Sequence, residues 1–94
     1  MRLEEKEIEI IRSAVANVDA GGVVYLFGSR VDDTRRGGDI DLFVEASRPV
    51  DLKQRLLLEY QISSECDTKI DLQVKSPGDE DSPIHRIARK GIRL

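Results

Sequence analysis

Asp39 and Asp41 stand two residues apart at the head of an apolar run, and nine residues separate them from a Gly28-Ser29 turn that closes an earlier apolar run. In an extended strand, side chains two apart project the same way, about 6.5–7 Å from each other along the backbone. Two carboxylates so placed repel each other unless water solvates them or a cation sits between them. A hard divalent ion such as magnesium suits such oxygen ligands. Asp71 is a third candidate, inside the short apolar string Ile70-Asp71-Leu72. Aspartate is disfavoured within strands, so something must compensate for it there. The Gly28-Ser29 turn contributes the complementary half. Glycine removes the steric block to close approach, and free N–H groups with a serine hydroxyl can bind phosphate oxygens. Arg30, Arg35 and Arg36 lie between the two halves, able to neutralise phosphate charge or to pair with Asp32 and Asp33. Taken singly, Gly-Ser is an ordinary tight turn and Asp-x-Asp an ordinary solvated strand end. Together they fit chemistry on a metal-bound nucleoside triphosphate.

Positioning these groups requires a strand–turn–strand unit, and the patterning supplies one. Val23 to Phe27 is continuously apolar and too short for a helix, so it reads as a buried strand. Ile40, Leu42 and Val44 alternate with Asp39, Asp41 and Phe43 in a second strand. Ile70, Leu72 and Val74 alternate with Asp71 and Gln73 in a third. Residues 3–19 carry a helical stripe of Leu3, Ile8, Ile11, Val15 and Val18, ended by Gly21-Gly22. Pro49 and Asp51 open a second helix over about 51–63, whose packed side is expected to be Leu52, Leu56, Leu57 and Tyr60. Ser82 caps a short helix that starts at Pro83 and carries Ile84, Ile87 and Ala88, with Gly91 as its stop. Ile92 to Leu94 can add an edge strand. The expected architecture is α/β: a small mixed sheet of three to four strands with flanking helices, one domain over residues 1–94.

Composition excludes several function classes. The chain has 94 residues, 39% hydrophobic and 35% charged, enough for one modest core. Its net charge of −3 argues against broad nucleic-acid or anionic-membrane binding through bulk charge. One cysteine, Cys66, cannot form an internal disulfide, and no Cys/His cluster points to zinc. No apolar run approaches membrane-spanning length and the N-terminus is not a signal peptide, so a cytoplasmic location is expected. His85, the single histidine, is expected on the surface of the last helix, and Tyr25 and Tyr60 are expected to pack. Arg86, Arg89, Lys90 and Arg93 complement a helix end.

Gly28-Ser29, the nine-residue spacer, Asp39-Ile40-Asp41 and the later strand aspartate resemble the nucleotidyltransferases related to DNA polymerase β. The string Leu26-Phe27-Gly28-Ser29-Arg30 and the ending Ile87-Ala88-Arg89-Lys90-Gly91-Ile92-Arg93-Leu94 resemble its minimal nucleotidyltransferase (MNT) branch. The spacer is one residue shorter than is commonest there, with Gly38 where serine is frequent. The resemblance implies a polymerase β-like nucleotidyltransferase fold. It implies that Gly28 and Ser29 hold the triphosphate, with Arg30 a further candidate through its charge, and that Asp39, Asp41 and Asp71 bind two magnesium ions, Asp71 also helping to deprotonate the acceptor. The implied reaction is transfer of a nucleoside monophosphate, AMP from ATP, to a hydroxyl. The implied setting is an antitoxin that adenylylates a helical HEPN-type toxin. The alternatives are an antitoxin that acts by contact alone and a nucleotide-binding module.

Overall fold

The computed structural model describes residues 3–28 and 39–94. Helix α1 (Glu5–Val18) starts with Glu5 and Glu7 in its first turn, where the helix dipole favours carboxylates. The Glu7 carboxylate accepts from the Glu4 N–H at 3.0 Å. Ile11, Ala14 and Val15 form its buried face. Strands β1 (Val23–Phe27) and β2 (Ile40–Glu45) follow and pair antiparallel, Val23 opposite Glu45 and Phe27 opposite Asp41. Helix α2 (Leu52–Cys66) then crosses over to β3 (Ile70–Lys75), which pairs parallel with β2, as a crossover permits. Helix α3 (Pro83–Arg89) returns the chain to a two-residue edge strand, β4 (Ile92–Arg93), antiparallel to β1. The sheet order is β3-β2-β1-β4, a four-stranded mixed sheet as the alternation and the family resemblance imply.

The strict alternation of β2 gives the sheet two different faces. Ile40, Leu42 and Val44 point with Val24, Leu26, Ile70 and Leu72 into a core closed by α1 and by Leu58 and Ile62 of α2. Phe43 points the other way, into a smaller cluster with Phe27, Ala88 and Tyr25 beneath α3. Asp41 lies on that second face, because it alternates with the buried Ile40 and Leu42.

Two expectations are corrected, for α2 and for His85, and the structure settles which side of α3 packs. The apolar set assigned to the packed side of α2 faces outward: Leu52, Leu56, Leu57 and Tyr60 are 63%, 49%, 58% and 71% exposed. Leu58 and Ile62, four apart, provide the contact instead, since only one flank of the helix meets the sheet and α1. On α3, Ala88 is the buried residue while Ile84 and Ile87 are exposed, because a small side chain lets this short helix sit close to Phe43. His85 is half-buried rather than on the surface: its ring stacks on Phe43 at 4.9 Å, and its Nδ1 accepts from the Ser82 N–H at 3.3 Å. Tyr25 does pack, stacked on Phe43 at 6.0 Å.

Polar ties hold the loops. The buried Asp19 carboxylate accepts from the Ser47 N–H at 2.6 Å, the Ser47 hydroxyl at 2.5 Å and the Gly21 N–H at 3.1 Å. Burial pushes its carboxyl up, but these hydrogen bonds, with Arg48 nearby, leave it below the usual range. Arg48 also donates to the Val18 carbonyl, so the ends of α1 and β2 are tied together. Asp51 and Gln54 cap α2 reciprocally at 2.7 and 3.1 Å. Burial, then Glu7 and Glu65, push the Cys66 thiol up, which keeps it protonated as a packing group. Among the described residues no helix is long and apolar enough to cross a membrane.

Candidate active site

Parallel pairing sets Asp41 of β2 directly opposite Asp71 of β3, with Ile40 opposite Ile70 and Leu42 opposite Leu72 on either side. The isoleucines and leucines are buried in the main core, so both aspartates project from the opposite face. Asp39, two residues before Asp41, lies at the same end of β2, half-buried; Asp71 is exposed. Three carboxylates separated widely in sequence are thereby brought to one corner of the sheet.

The corner carries an excess of negative charge. Burial first, then the charges of Asp71 and Asp39, push the Asp41 carboxyl above its ordinary value of 3.8. A cluster in which two carboxylates disfavour the ionised form of a third is short of positive charge. Its all-oxygen donor set suits a hard divalent cation. The three side chains do not close on a common point; among the described residues no group of three acidic, histidine or cysteine side chains is arranged to hold a metal. Asp39 instead reaches sideways, its Oδ2 3.6 Å from the Lys69 ammonium. The donor chemistry and the charge deficit fit a divalent ion, with rotation of these side chains needed to complete the site.

Gly28 ends β1 directly beneath this corner. Its φ of +77° lies in the left-handed region, and a Cβ there would overlap the Asp41 carboxylate. Glycine is therefore required twice over, by backbone conformation and by the close approach of Asp41. The register explains the contact: Phe27, the residue before Gly28, pairs with Asp41. The turn and the carboxylates thus meet in space. Ser29 and Arg30, expected to bind phosphate, lie outside the described residues, as do Arg35, Arg36 and Gly38.

At the opposite end of β2, Arg89 of α3 forks onto Glu45, Nε to Oε1 at 2.6 Å and Nη2 to Oε2 at 3.1 Å. Its Nη2 also meets Asp81 at 2.6 Å, and the guanidinium carbon lies 5.6 Å from the Phe43 ring centre. Hydrogen bonding to Arg89 holds the Asp81 carboxyl below its usual value. Reading the C-terminal basic residues as a helix-end complement missed this network. Lys69 escaped notice too, although a lysine two residues before a strand aspartate carries the signal that both occupy one face.

The family model for polymerase beta nucleotidyltransferases matches residues 7–94 of the chain. No curated protein matches it significantly. Among solved structures, a toxin–antitoxin structure with AMP-PNP is 28% identical at a TM-score of 0.63, covering 77% of this chain and 57% of its own. A tri-AMPylated HEPN toxin in complex with MNT antitoxin, from Shewanella oneidensis, is 26% identical at a TM-score of 0.52, covering 77% and 52%. A third structure, also from Shewanella oneidensis, 20% identical at a TM-score of 0.66 over 97% of this chain and 71% of its own, shares the fold. The chain spans just over half the length of the toxin–antitoxin chains it resembles.

Proposed function

Because the chain belongs to the polymerase beta nucleotidyltransferase family, we propose that it transfers AMP from ATP, in a magnesium-dependent reaction, to a hydroxyl on a helical HEPN-type toxin, and so acts as that toxin's antitoxin. The observation that carries this reading is the in-register apposition of Asp41 and Asp71 beside the left-handed Gly28 turn. The neighbours with AMP-PNP and with an AMPylated HEPN toxin support the choice of nucleotide and of partner. In this reading residues 1–94 form a single nucleotidyltransferase unit that works in the cytoplasm.

Gly28 lets the backbone lie against the triphosphate, and the hydroxyl of Ser29 and the guanidinium of Arg30 bind its oxygens. Asp39, Asp41 and Asp71 would hold the divalent ions, which when bound supply charge neutralisation at the α-phosphate and at the departing pyrophosphate. Asp71, the most exposed of the three, would accept the proton of the attacking hydroxyl. The acceptor oxygen bonds to the α-phosphorus as the bond to the β-phosphate oxygen breaks, and pyrophosphate leaves.

The test supplies α-labelled ATP, magnesium and a co-expressed helical HEPN-type toxin. Label is expected on the toxin with wild type and not with Asp41→Asn or Asp39→Asn. If wild type transfers no label while both variants silence the toxin as well as wild type does, the protein is an antitoxin that acts by contact alone.

A further inference from the structure

Lys69 sits immediately before β3, two residues ahead of Asp71 and therefore on the same face of the sheet. The register that pairs Ile40 with Ile70 sets Asp39 beside it. The result is a two-by-two array at the sheet corner: Asp39 and Asp41 along one strand, Lys69 and Asp71 along the next. Three of its members are negative and one is positive. The Lys69 Nζ stands 3.6 Å from Asp39 Oδ2.

We propose that Lys69 is a tethered counter-cation for Asp39, placed so that a divalent ion can take Asp39 as a ligand only by displacing the ammonium. The inference rests on the reading of the three aspartates as a metal site. Two features make displacement easy. The Lys69 side chain is 80% exposed, and an ion pair so solvated is worth little. Its main chain is fixed, since the Lys69 carbonyl accepts from the Ile40 N–H at 3.0 Å, so the four-carbon stem can swing while the strand stays in place. In this account the pairing holds Asp39 on the ammonium rather than on a point shared with Asp41 and Asp71. Lys69 is a positioning residue in this account, acting through Asp39.

The experiment titrates the full chain with Mn²⁺ alone and counts free ion by electron paramagnetic resonance. Lys69→Met is expected to bind Mn²⁺ about threefold to tenfold more tightly than wild type, the scale of removing one unit charge a few ångströms away across solvent. Lys69→Gln should do the same. Lys69→Arg, which keeps the charge, should stay within about twofold of wild type, as should Lys75→Met, which removes a lysine from the far end of β3. Asp41→Asn should lose the binding. Unchanged or weaker Mn²⁺ binding in both Lys69→Met and Lys69→Gln overturns the proposal, and loss of binding in Asp41→Asn then leaves the metal-site reading standing. Equal tightening by Lys75→Met or by Lys69→Arg also overturns it, since the effect would then not follow the ion pair. If Asp41→Asn binds as wild type does, the metal-site reading fails and the Lys69 proposal with it.

Discussion

Asp41 is the residue on which the corner turns. It touches Gly28, pairs with Asp71 and lies under the repulsion of both neighbouring charges. Its carboxyl is raised above 3.8 in the fold and ordinary in the unfolded chain. Between those two values the folded state binds more protons, so stability falls as pH rises through that window and stays depressed above it. Asp41→Asn keeps the shape and removes the charge. In chelator at pH 7 it should melt higher than wild type, by a few degrees at most for a chain this size. The advantage should shrink as pH falls through the raised pKa and vanish below the ordinary value. Melting curves from pH 7 to pH 3 check this; a lower melting temperature in the variant would show that the Asp41 carboxylate stabilises the corner more than its neighbours repel it.

At the scale of elements, α2 separates what patterning reveals from what it conceals. The helix and its Asp51 start are legible in the sequence, and so are the three strands and the short α3 opened by Pro83. The face carrying Asp39 and Asp41 was legible too, because period-two alternation fixes which side chains share a face. The β2–β3 register that sets Asp71 beside Asp41 was not, since alternation within a strand does not say which strand pairs with it. Nor was the buried side of α2. Leu52, Leu56, Leu57 and Tyr60 make a fuller apolar stripe than Leu58 and Ile62, and hydrophobicity alone favours the wrong flank. Which flank packs depends on where the crossover sets the helix over the sheet, information carried by β2–β3 pairing and by α1. The Arg89 fork escaped for a related reason: Glu45 and Asp81, its partners, lie outside the helix that carries it. Mutation of the two flanks should separate them cleanly. Ile62→Ala should cost about 2–5 kcal/mol by leaving a cavity, whereas Leu56→Gln should stay within about 0.5 kcal/mol in denaturant titrations. Equal costs would mean that the outward stripe is part of the fold's own core.

In the whole molecule, stability is concentrated at the centre of the sheet. β1 and β2 are flanked by strands on both sides and by helices above and below, whereas β4 contributes two residues at one edge. Backbone amides of Tyr25 and Phe43, which the register turns toward each other across β1–β2, should therefore exchange with solvent slowest, at least about tenfold more slowly than that of Leu94, which donates to the Val24 carbonyl at the β4 edge. Hydrogen exchange read by mass spectrometry or NMR checks the order, and comparable protection of the β4 edge would show a single cooperative unit.

The parallel apposition of Asp41 and Asp71 also has a kinetic meaning. The β1–β2 pair joins strands that follow each other directly, whereas β3 reaches β2 only after the whole of α2 has been laid across the sheet. Closing that longer loop costs more chain entropy than closing the nearer pairing, though only modestly more, since the cost grows with the logarithm of loop length. The carboxylate corner is therefore expected to form after the β1–β2 pair. A chain still emerging from synthesis holds Asp39 and Asp41 before it holds their partner, so on the proposed metal-site reading affinity for divalent ions should appear only when the crossover closes. In stopped-flow refolding, the appearance of Mn²⁺ binding should lag behind burial of the β1–β2 pair.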